Sequence, residues 1–263
     1  MSAPEAVSPT PATPAPGRPS WRDAWLVYLQ PRVLVVMFLG FSSGLPLALS
    51  GSTLLVWVSE SGVSLGTIGL FTLVGTPYTL KFLWAPLVDG LRLPLLTRWL
   101  GRRRGWLIFT QLLLMAAILT LALTDPARSP FFVALGALLV ATASATQDIV
   151  VDAFRVESLD ESEQAAGMAS YVAAYRIGMV ASTAGALFLV TGFEHLGLPR
   201  LEAWMASLAV MAALVLIGIV TVLVAREPEG STSAEAATGD TPSLQRVIDA
   251  AVGAFAEFLG RAD

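Results

Sequence analysis

Long runs of apolar residues alternate with short polar segments along most of this 263-residue chain. Each run is close to the roughly 20 residues that a helix needs to cross a ~30 Å hydrocarbon layer. The pattern therefore predicts an all-α membrane protein with six transmembrane helices. The six predicted spans cover residues 33–55, 67–88, 105–124, 131–151, 165–190 and 203–225.

The two ends of the chain differ in character from this apolar bundle. The first residues are rich in Pro and Ala and cannot bury a core, which predicts a disordered tail. Trp21, Trp25 and Tyr28 share one helical face, which favours an interfacial helix, although a chance cluster of aromatic residues gives the same pattern. The predicted division is a tail at 1–20, an interfacial helix at 21–32, a six-helix bundle at 33–225, a polar linker at 226–242 and an amphipathic cytoplasmic helix at 243–263.

Composition excludes several classes of protein. Hydrophobic residues make up 55% of the chain, charged residues 14%, and the mean hydropathy is +0.69, which excludes a soluble globular enzyme as the main body. The net charge of −4 gives no reason to expect a nucleic-acid partner. The chain has no Cys and a single His, His195, so we expect no metal site, no cofactor and no enzymatic activity.

Arginine and lysine residues are distributed unevenly between the two sides of the predicted bundle. Twelve of the 16 fall on the side of the N-terminus, whereas only Arg128 and Arg200 fall in the opposite loops. Positively charged residues accumulate on the cytoplasmic side of membrane proteins. The N-terminus and the C-terminus are therefore both predicted to be cytoplasmic.

Three charged residues interrupt the predicted spans: Lys81, Asp148 and Arg176. Each costs about 2.5–3.5 kcal/mol at the centre of a span, so each needs a partner or a water-filled cavity. Snorkelling of Lys81 to the membrane surface and a structural ion pair of Arg176 stay open as alternatives to a functional role. Asp152 and Arg155 follow Asp148 on the same helical face, where an interfacial ion pair between them is the simpler interpretation.

The first, second, fourth and fifth predicted spans carry all the charged residues or helix breaks. The third and sixth spans carry no charge. The first span contains the break Gly40–Pro46, where Ser42 and Ser43 are candidates to bind a substrate, although a packing kink explains the same residues. Tyr78 and Tyr175 add hydroxyl groups in the second and fifth spans. A distribution that repeats every three spans predicts a 3+3 inverted repeat around a central cavity.

Five runs of the sequence resemble the AmpG-type muropeptide permeases of the major facilitator superfamily, and together they lie within residues 24–226. The runs are 28–46, 69–89, 100–106, 144–157 and 175–179. The run TQDIVVDA at 146–153 is also similar to acetyl-CoA transporters. The resemblance implies a proton-driven importer of the bacterial inner membrane, which carries anhydromuropeptides from periplasm to cytoplasm for cell-wall recycling.

The resemblance also suggests roles for the candidate residues. Substrate-binding candidates are Ser42, Ser43, Tyr78, Lys81, Tyr175 and Arg176. Asp148 is the candidate proton-coupling group, because burial favours the uncharged form of a carboxyl group. The inner-loop signature of the superfamily implies a gating latch, in which the arginines pair with Asp152. Its members are Asp89, Arg102, Arg103, Arg104, Asp152 and Arg155.

The family has two six-helix halves, whereas this chain ends after one. A fragment, a split transporter and a homodimer of halves are the three explanations, and we favour the fragment. The expected partners are the lipid bilayer, protons, an anionic muropeptide-like molecule and a second six-helix half. Two other functions stay open: a transporter of another anionic solute such as an acyl-CoA compound, and a non-transporting docking or regulatory protein of the membrane.

Overall fold

The computed structural model describes residues 21–228, and every regular element in this part of the chain is helical. The apolar patterning explains this, because a helix satisfies its own backbone hydrogen bonds where lipid offers no partners. The predicted tail at 1–20, the amphipathic helix at 243–263 and all but the first three residues of the polar linker lie outside the described residues.

Five helices are long and apolar enough to cross a membrane. We number them after the predicted spans to which they correspond, so the number two is reserved for the second predicted span. They are the first span Pro31–Glu60, the third span Arg102–Ala122, the fourth span Pro130–Ser158, the fifth span Gln164–His195 and the sixth span Arg200–Val224. A short helix, Trp21–Leu26, precedes the first span, and its Trp21 and Trp25 side chains are exposed.

The second predicted span is not one continuous helix. Residues 65–90, which we call the segmented region, form a series of short α-helical and 3₁₀ segments. Pro77 and Pro86 each lie at the second position of a new segment, because proline has no N–H with which to continue the preceding helix. The segments are Leu65–Leu70, Phe71–Gly75, Thr76–Leu80, Lys81–Leu83 and Ala85–Gly90.

Glycine residues bring the first and fifth spans into close contact. A Cβ atom at Gly40 would lie 2.5 Å from the backbone oxygen of Tyr171, and one at Gly44 would collide with the backbone of Tyr175. Gly178 on the fifth span faces the backbone of the first span in the same way. Small residues at helix contacts allow such close approach in membrane proteins.

Each of these two helices contains a π-helical turn, and the two turns lie side by side. The turns are Leu49–Thr53 in the first span and Ala181–Gly185 in the fifth. The buried Thr53 hydroxyl donates a 2.6 Å hydrogen bond to the backbone oxygen of Ser182. A π-helical turn disturbs the regular backbone ladder, and this hydroxyl supplies one carbonyl group with a donor.

Thr53→Val is expected to lower the free energy of unfolding by about 0.6–1.7 kcal/mol, the range measured for hydrogen bonds between membrane helices. Valine keeps the shape of threonine but leaves the Ser182 oxygen without this donor. Unfolding in mixed detergent micelles measures the change. Thr53→Ser is the control and should retain most of the stability; equal losses for the two variants would contradict the role of the hydroxyl.

The third span lies between the fourth and the sixth, and apolar side chains fill the space between them. At one end of the bundle, Trp57 and Trp204 are fully buried with ring centroids 5.9 Å apart. Near the other end, Leu107 and Phe154 are equally buried. This packing fixes the fourth span, which carries the charged residues of the site.

We call the two ends of the bundle the arginine-rich end and the opposite end. The arginine-rich end is where the first, third and fifth spans begin, and it carries Arg32, Arg103 and Arg155. At the opposite end, Arg200 forms ion pairs of 2.6 Å with Glu60 and 2.5 Å with Glu194. These pairs tie together the first, fifth and sixth spans.

Candidate functional site

The fourth span presents a buried carboxylate, Asp148, near its arginine-rich end. Asp148 is 7% exposed, and its Oδ1 atom has no hydrogen-bond partner among residues 21–228. Ser43 of the first span lies beside the carboxylate, and Lys81 of the segmented region is close enough for its charge to act on it. Three separate elements therefore meet at Asp148.

Neutral polar side chains that the sequence analysis did not single out surround this carboxylate. Gln147 donates from Nε2 to Ser43 Oγ at 3.4 Å, and its own Oε1 has no partner in the described part of the chain. The buried Ser144 Oγ also lacks a hydrogen bond within residues 21–228. Buried polar atoms without partners are costly in a protein interior, so this cluster is suited to hold water or a polar ligand.

Tyrosine hydroxyl groups line the same cluster. Tyr78 Oη lies 3.5 Å from Ser50 Oγ of the first span, and Ser144 lies next to that tyrosine. Tyr171 and Tyr175 lie side by side on the fifth span with ring centroids 5.9 Å apart. The structure thus brings the predicted residues Tyr78 and Tyr175 close to the Asp148 side of the bundle.

Two of the predicted substrate-binding residues lie elsewhere. Ser42 is fully buried, and its hydroxyl points toward Gln111 of the third span and Gly218 of the sixth, away from the Asp148 cluster. Arg176 is exposed and forms no hydrogen bond or ion pair with any residue of the part the structure describes. The proposed contact of Ser42 with a substrate therefore conflicts with the packing, because adjacent residues of a helix face different directions.

A chain of charges extends from the Asp148 cluster to the arginine-rich end. Lys81 Nζ lies 3.9 Å from Asp152 Oδ2, and Asp152 Oδ1 lies 3.5 Å from Arg155. The Arg155 guanidinium lies over the ring of Tyr171, 5.8 Å from its centroid. The ion pair between Asp152 and Arg155 is the pair predicted from the sequence. Lys81 is a second cation close to the same carboxylate.

An open groove of about 480 Å³ lies between the segmented region and the fourth span. Its lining includes Lys81, Ala85, Asp89, Ile149, Asp152 and Glu157. The lining therefore carries both signs of charge, with apolar residues between them. Such a surface suits a ligand that has both carboxylate and apolar groups.

Arg102 and Arg103 of the predicted latch pair with Glu157, so the expected pairing of these arginines with Asp152 is wrong. Arg103 is buried and lies 2.6 Å from Asp89 Oδ1 and 2.5 Å from Glu157 Oε1. Arg102 donates to the backbone oxygen of Asp89 at 2.7 Å. Glu157 lies one helical turn and a half beyond Asp152, close to the end of the fourth span, where the third span can reach it.

Arg104 binds a different element, the end of the sixth span. Its guanidinium donates to the backbone oxygens of Val222 at 2.9 Å and Leu223 at 3.0 Å. In return, Glu227 accepts hydrogen bonds from the backbone N–H groups of Arg103 and Arg104. An acidic side chain at a helix N-terminus and a basic one at a helix C-terminus are both favourable, so the two helix ends cap each other.

Sequence reasoning missed Glu157, Glu227, Glu60 and Glu194. Glu60, Glu157 and Glu194 lie at the ends of helices and Glu227 lies just beyond one, where charged residues are common and carry no signal in a hydropathy pattern. Among the described residues, no group of three or more His, Asp or Glu side chains is arranged to hold a metal ion.

Comparison with known proteins matches this chain to transporters. It is 39% identical to the anhydromuropeptide permease of Escherichia coli K12 over 235 residues, which are 89% of this chain and 44% of the permease. The chain is a relative of the AmpG-type permeases. A Rickettsia conorii protein named as an AmpG transporter is 34% identical over 200 residues, 75% of this chain and 46% of that protein.

The family model described as acetyl-coenzyme A transporter 1 matches residues 32–129. The chain spans less than half the length of the curated relatives that it matches. Its permease relatives and its five membrane-length helices identify it as a multi-pass protein of the bacterial inner membrane. The resemblance to the AmpG-type permeases is therefore confirmed.

Proposed function

We propose that this chain is one half of a proton-coupled transporter that imports anhydromuropeptides from periplasm to cytoplasm for cell-wall recycling. The observation that carries the proposal is the 39% identity to the anhydromuropeptide permease over 89% of the chain. The Asp148 cluster supports it, because it supplies a buried carboxylate, a cation and hydroxyl groups on one side of the bundle.

In this proposal the segmented region crosses the membrane as the second of six spans, arranged as a 3+3 inverted repeat. Six crossings leave both ends of the chain on one side, and the arginines at that end favour the cytoplasm. A second six-helix half would then cover the open face of the bundle. The exposed side of the fifth span supports this, since only 22% of its most apolar stretch is buried, compared with 67% for the first span.

Asp148 takes the role of the proton-coupling group, and Lys81 holds a carboxylate of the substrate. The hydroxyl groups of Ser43, Tyr78 and Tyr175 supply hydrogen bonds to the substrate. Arg176, which faces outward from this half, would meet the substrate or the second half only in the complete cavity. Asp89, Arg102 and Arg103, with Glu157 as their acidic partner, form the proposed latch at the cytoplasmic end.

The test is uptake of labelled anhydromuropeptide by a bacterial strain without its own permease. Because the chain covers less than half of its relatives, it is expressed joined to the part of the Escherichia coli permease that it does not match. We expect labelled substrate to accumulate in these cells. A joined protein that reaches the membrane in normal amount but gives no accumulation would overturn the proposal.

Transport of an acyl-CoA compound is the second candidate, because residues 32–129 match the acetyl-coenzyme A transporter model. Both substrates carry several negative charges and suit the same cation, Lys81. Competition separates them: unlabelled acetyl-CoA should leave uptake of labelled anhydromuropeptide unchanged. Strong inhibition by acetyl-CoA, together with uptake of labelled acetyl-CoA itself, would favour the second candidate.

The double variant Lys81→Ala/Arg176→Ala is expected to lower uptake at least about tenfold, which corresponds to loss of about 1.4 kcal/mol of substrate interaction. A protein that only docks another protein has no need for these cations within membrane-length segments. Initial uptake rates, normalised to the amount of protein in the membrane, measure the effect. Undiminished uptake by the double variant would favour a non-transporting role for these residues.

A further inference from the structure

Three arginines at one corner of the arginine-rich end have no partner in the described part of the chain. They are Arg92, Arg98 and Arg226, and none of them forms a hydrogen bond or ion pair with another residue in the range 21–228. Their neighbours in sequence are all engaged: Arg102 and Arg103 with Asp89 and Glu157, and Arg104 with backbone carbonyl groups.

These three arginines lie in segments that contact the first turns of the third span. The backbone oxygen of Leu91, next to Arg92, accepts a 2.8 Å hydrogen bond from Trp106 Nε1. Glu227, next to Arg226, accepts a 2.8 Å hydrogen bond from the backbone N–H of Arg103. We call this region the arginine corner; it consists of Leu91–Gly101, the start of the third span and residues 222–227.

The helix Pro94–Leu100 carries Arg98 and packs against the third span, where Leu96 touches Gly105. Its other face is apolar and open: Leu95 is 80% exposed and Trp99 is 83% exposed. Leucine and tryptophan one turn apart beside an arginine are typical of a helix that lies in the interface of a membrane.

Exposed apolar side chains continue from this corner along the bundle, and they form a surface that the acyl chains of a lipid could cover. Leu112 and Leu113 on the third span and Val220 and Val224 on the sixth are exposed, and these two spans pack against each other. The sequence between Asp89 and Asp125 has no acidic residue, so nothing along that segment offsets its arginines.

We propose that the arginine corner binds a phospholipid with an anionic headgroup from the inner leaflet of the membrane. The phosphate lies between Arg92, Arg98 and Arg226, Trp99 and Leu95 lie at the level of the headgroup, and the acyl chains cover the exposed residues of the third and sixth spans. Basic pockets between membrane helices on the cytoplasmic side bind such lipids in other proteins. The inner-leaflet position rests on the orientation given under Proposed function, whereas the binding of the headgroup does not depend on the transported substrate.

The test uses the full chain purified in a neutral detergent, with the midpoint of thermal unfolding as the readout. Phosphatidylglycerol is expected to raise the midpoint by about 2–4 °C, the scale of a modest stabilisation in a protein of this size. Phosphatidylcholine and inorganic phosphate, added at the same concentrations, should have little effect. An equal rise with phosphatidylcholine would overturn the proposal, and so would an equal rise with phosphate, which would mark a site for the free anion.

The triple variant Arg92→Gln/Arg98→Gln/Arg226→Gln should unfold at the normal midpoint without lipid and lose most of the rise with phosphatidylglycerol. Arg128→Gln is the matched control, because Arg128 is an exposed arginine that lies in a loop at the opposite end. If the triple variant folds poorly, Trp99→Ala is used, which keeps every charge and should weaken the lipid effect. A full rise in these variants would contradict the proposal.

Discussion

Replacing Gly44 with alanine is expected to lower the free energy of unfolding by about 1–3 kcal/mol or more, the range for overpacking a well-packed interior. The added Cβ would collide with the backbone of Tyr175 on the fifth span. A backbone carbonyl cannot move aside by a change of rotamer, so the two helices must separate. Contact between the first and fifth spans is the most extensive helix contact in the described part, and much of the bundle's stability depends on it.

Unfolding in mixed detergent micelles measures this loss, and Gly51→Ala is the matched control on the same span. A Cβ at Gly51 has no atom within 4 Å. This control should therefore unfold at the normal detergent fraction, or at a slightly higher one because alanine favours the helix. Equal stability of the Gly44 and Gly51 variants would show that the two spans do not approach as closely as described.

Arg103→Gln is expected to cost about 3 kcal/mol of stability, at the lower end of the range for breaking a buried ion pair. The Arg103 side chain is 7% exposed, and it contacts both Asp89 and Glu157. Its removal leaves Asp89 without this ion pair and leaves Glu157 with only the longer 4.0 Å contact to Arg102. Asp89 is 47% exposed and keeps part of its hydration, which is why the lower end of the range applies.

The same unfolding assay measures this effect, with Arg128→Gln as the control. Arg128 pairs with Asp125 at 3.3 Å, but its side chain is 88% exposed, so its loss should change stability by less than about 1 kcal/mol. Adding Glu157→Gln to Arg103→Gln should recover part of the loss, because it removes one of the two carboxylates that have lost Arg103. Equal effects of the two arginine substitutions would contradict the buried network.

Five of the six spans could be predicted from hydropathy alone, because each is a long apolar stretch, and Pro46 in the first span does not end its helix. Hydropathy does not predict that the second span is divided into short segments. Its breaks at Gly75–Pro77 and at Pro86 are visible in the sequence, but the 3₁₀ geometry of Lys81–Leu83, which contacts the fourth span, is not. Local propensity cannot supply that information.

The candidate site was partly visible because charges are rare in apolar segments. Lys81 and Asp148 stand out for this reason, and the structure brings them together. Gln147 and Ser50 are uncharged and leave no comparable signal in the sequence. Ser42 and Ser43 are equivalent in sequence terms, and only the packing of the third and sixth spans shows that Ser42 points away from the site.

The most direct test of a proton-coupled transporter centred on Asp148 is a single uptake measurement on membrane vesicles. The vesicles contain this chain joined to the unmatched part of the Escherichia coli permease, either unchanged or with Asp148→Asn. We expect an inward proton gradient to drive accumulation of labelled anhydromuropeptide by the unchanged protein. Asp148→Asn should abolish the gradient-driven part while the protein stays in the membrane. Gradient-driven accumulation that is the same for both proteins would contradict the account.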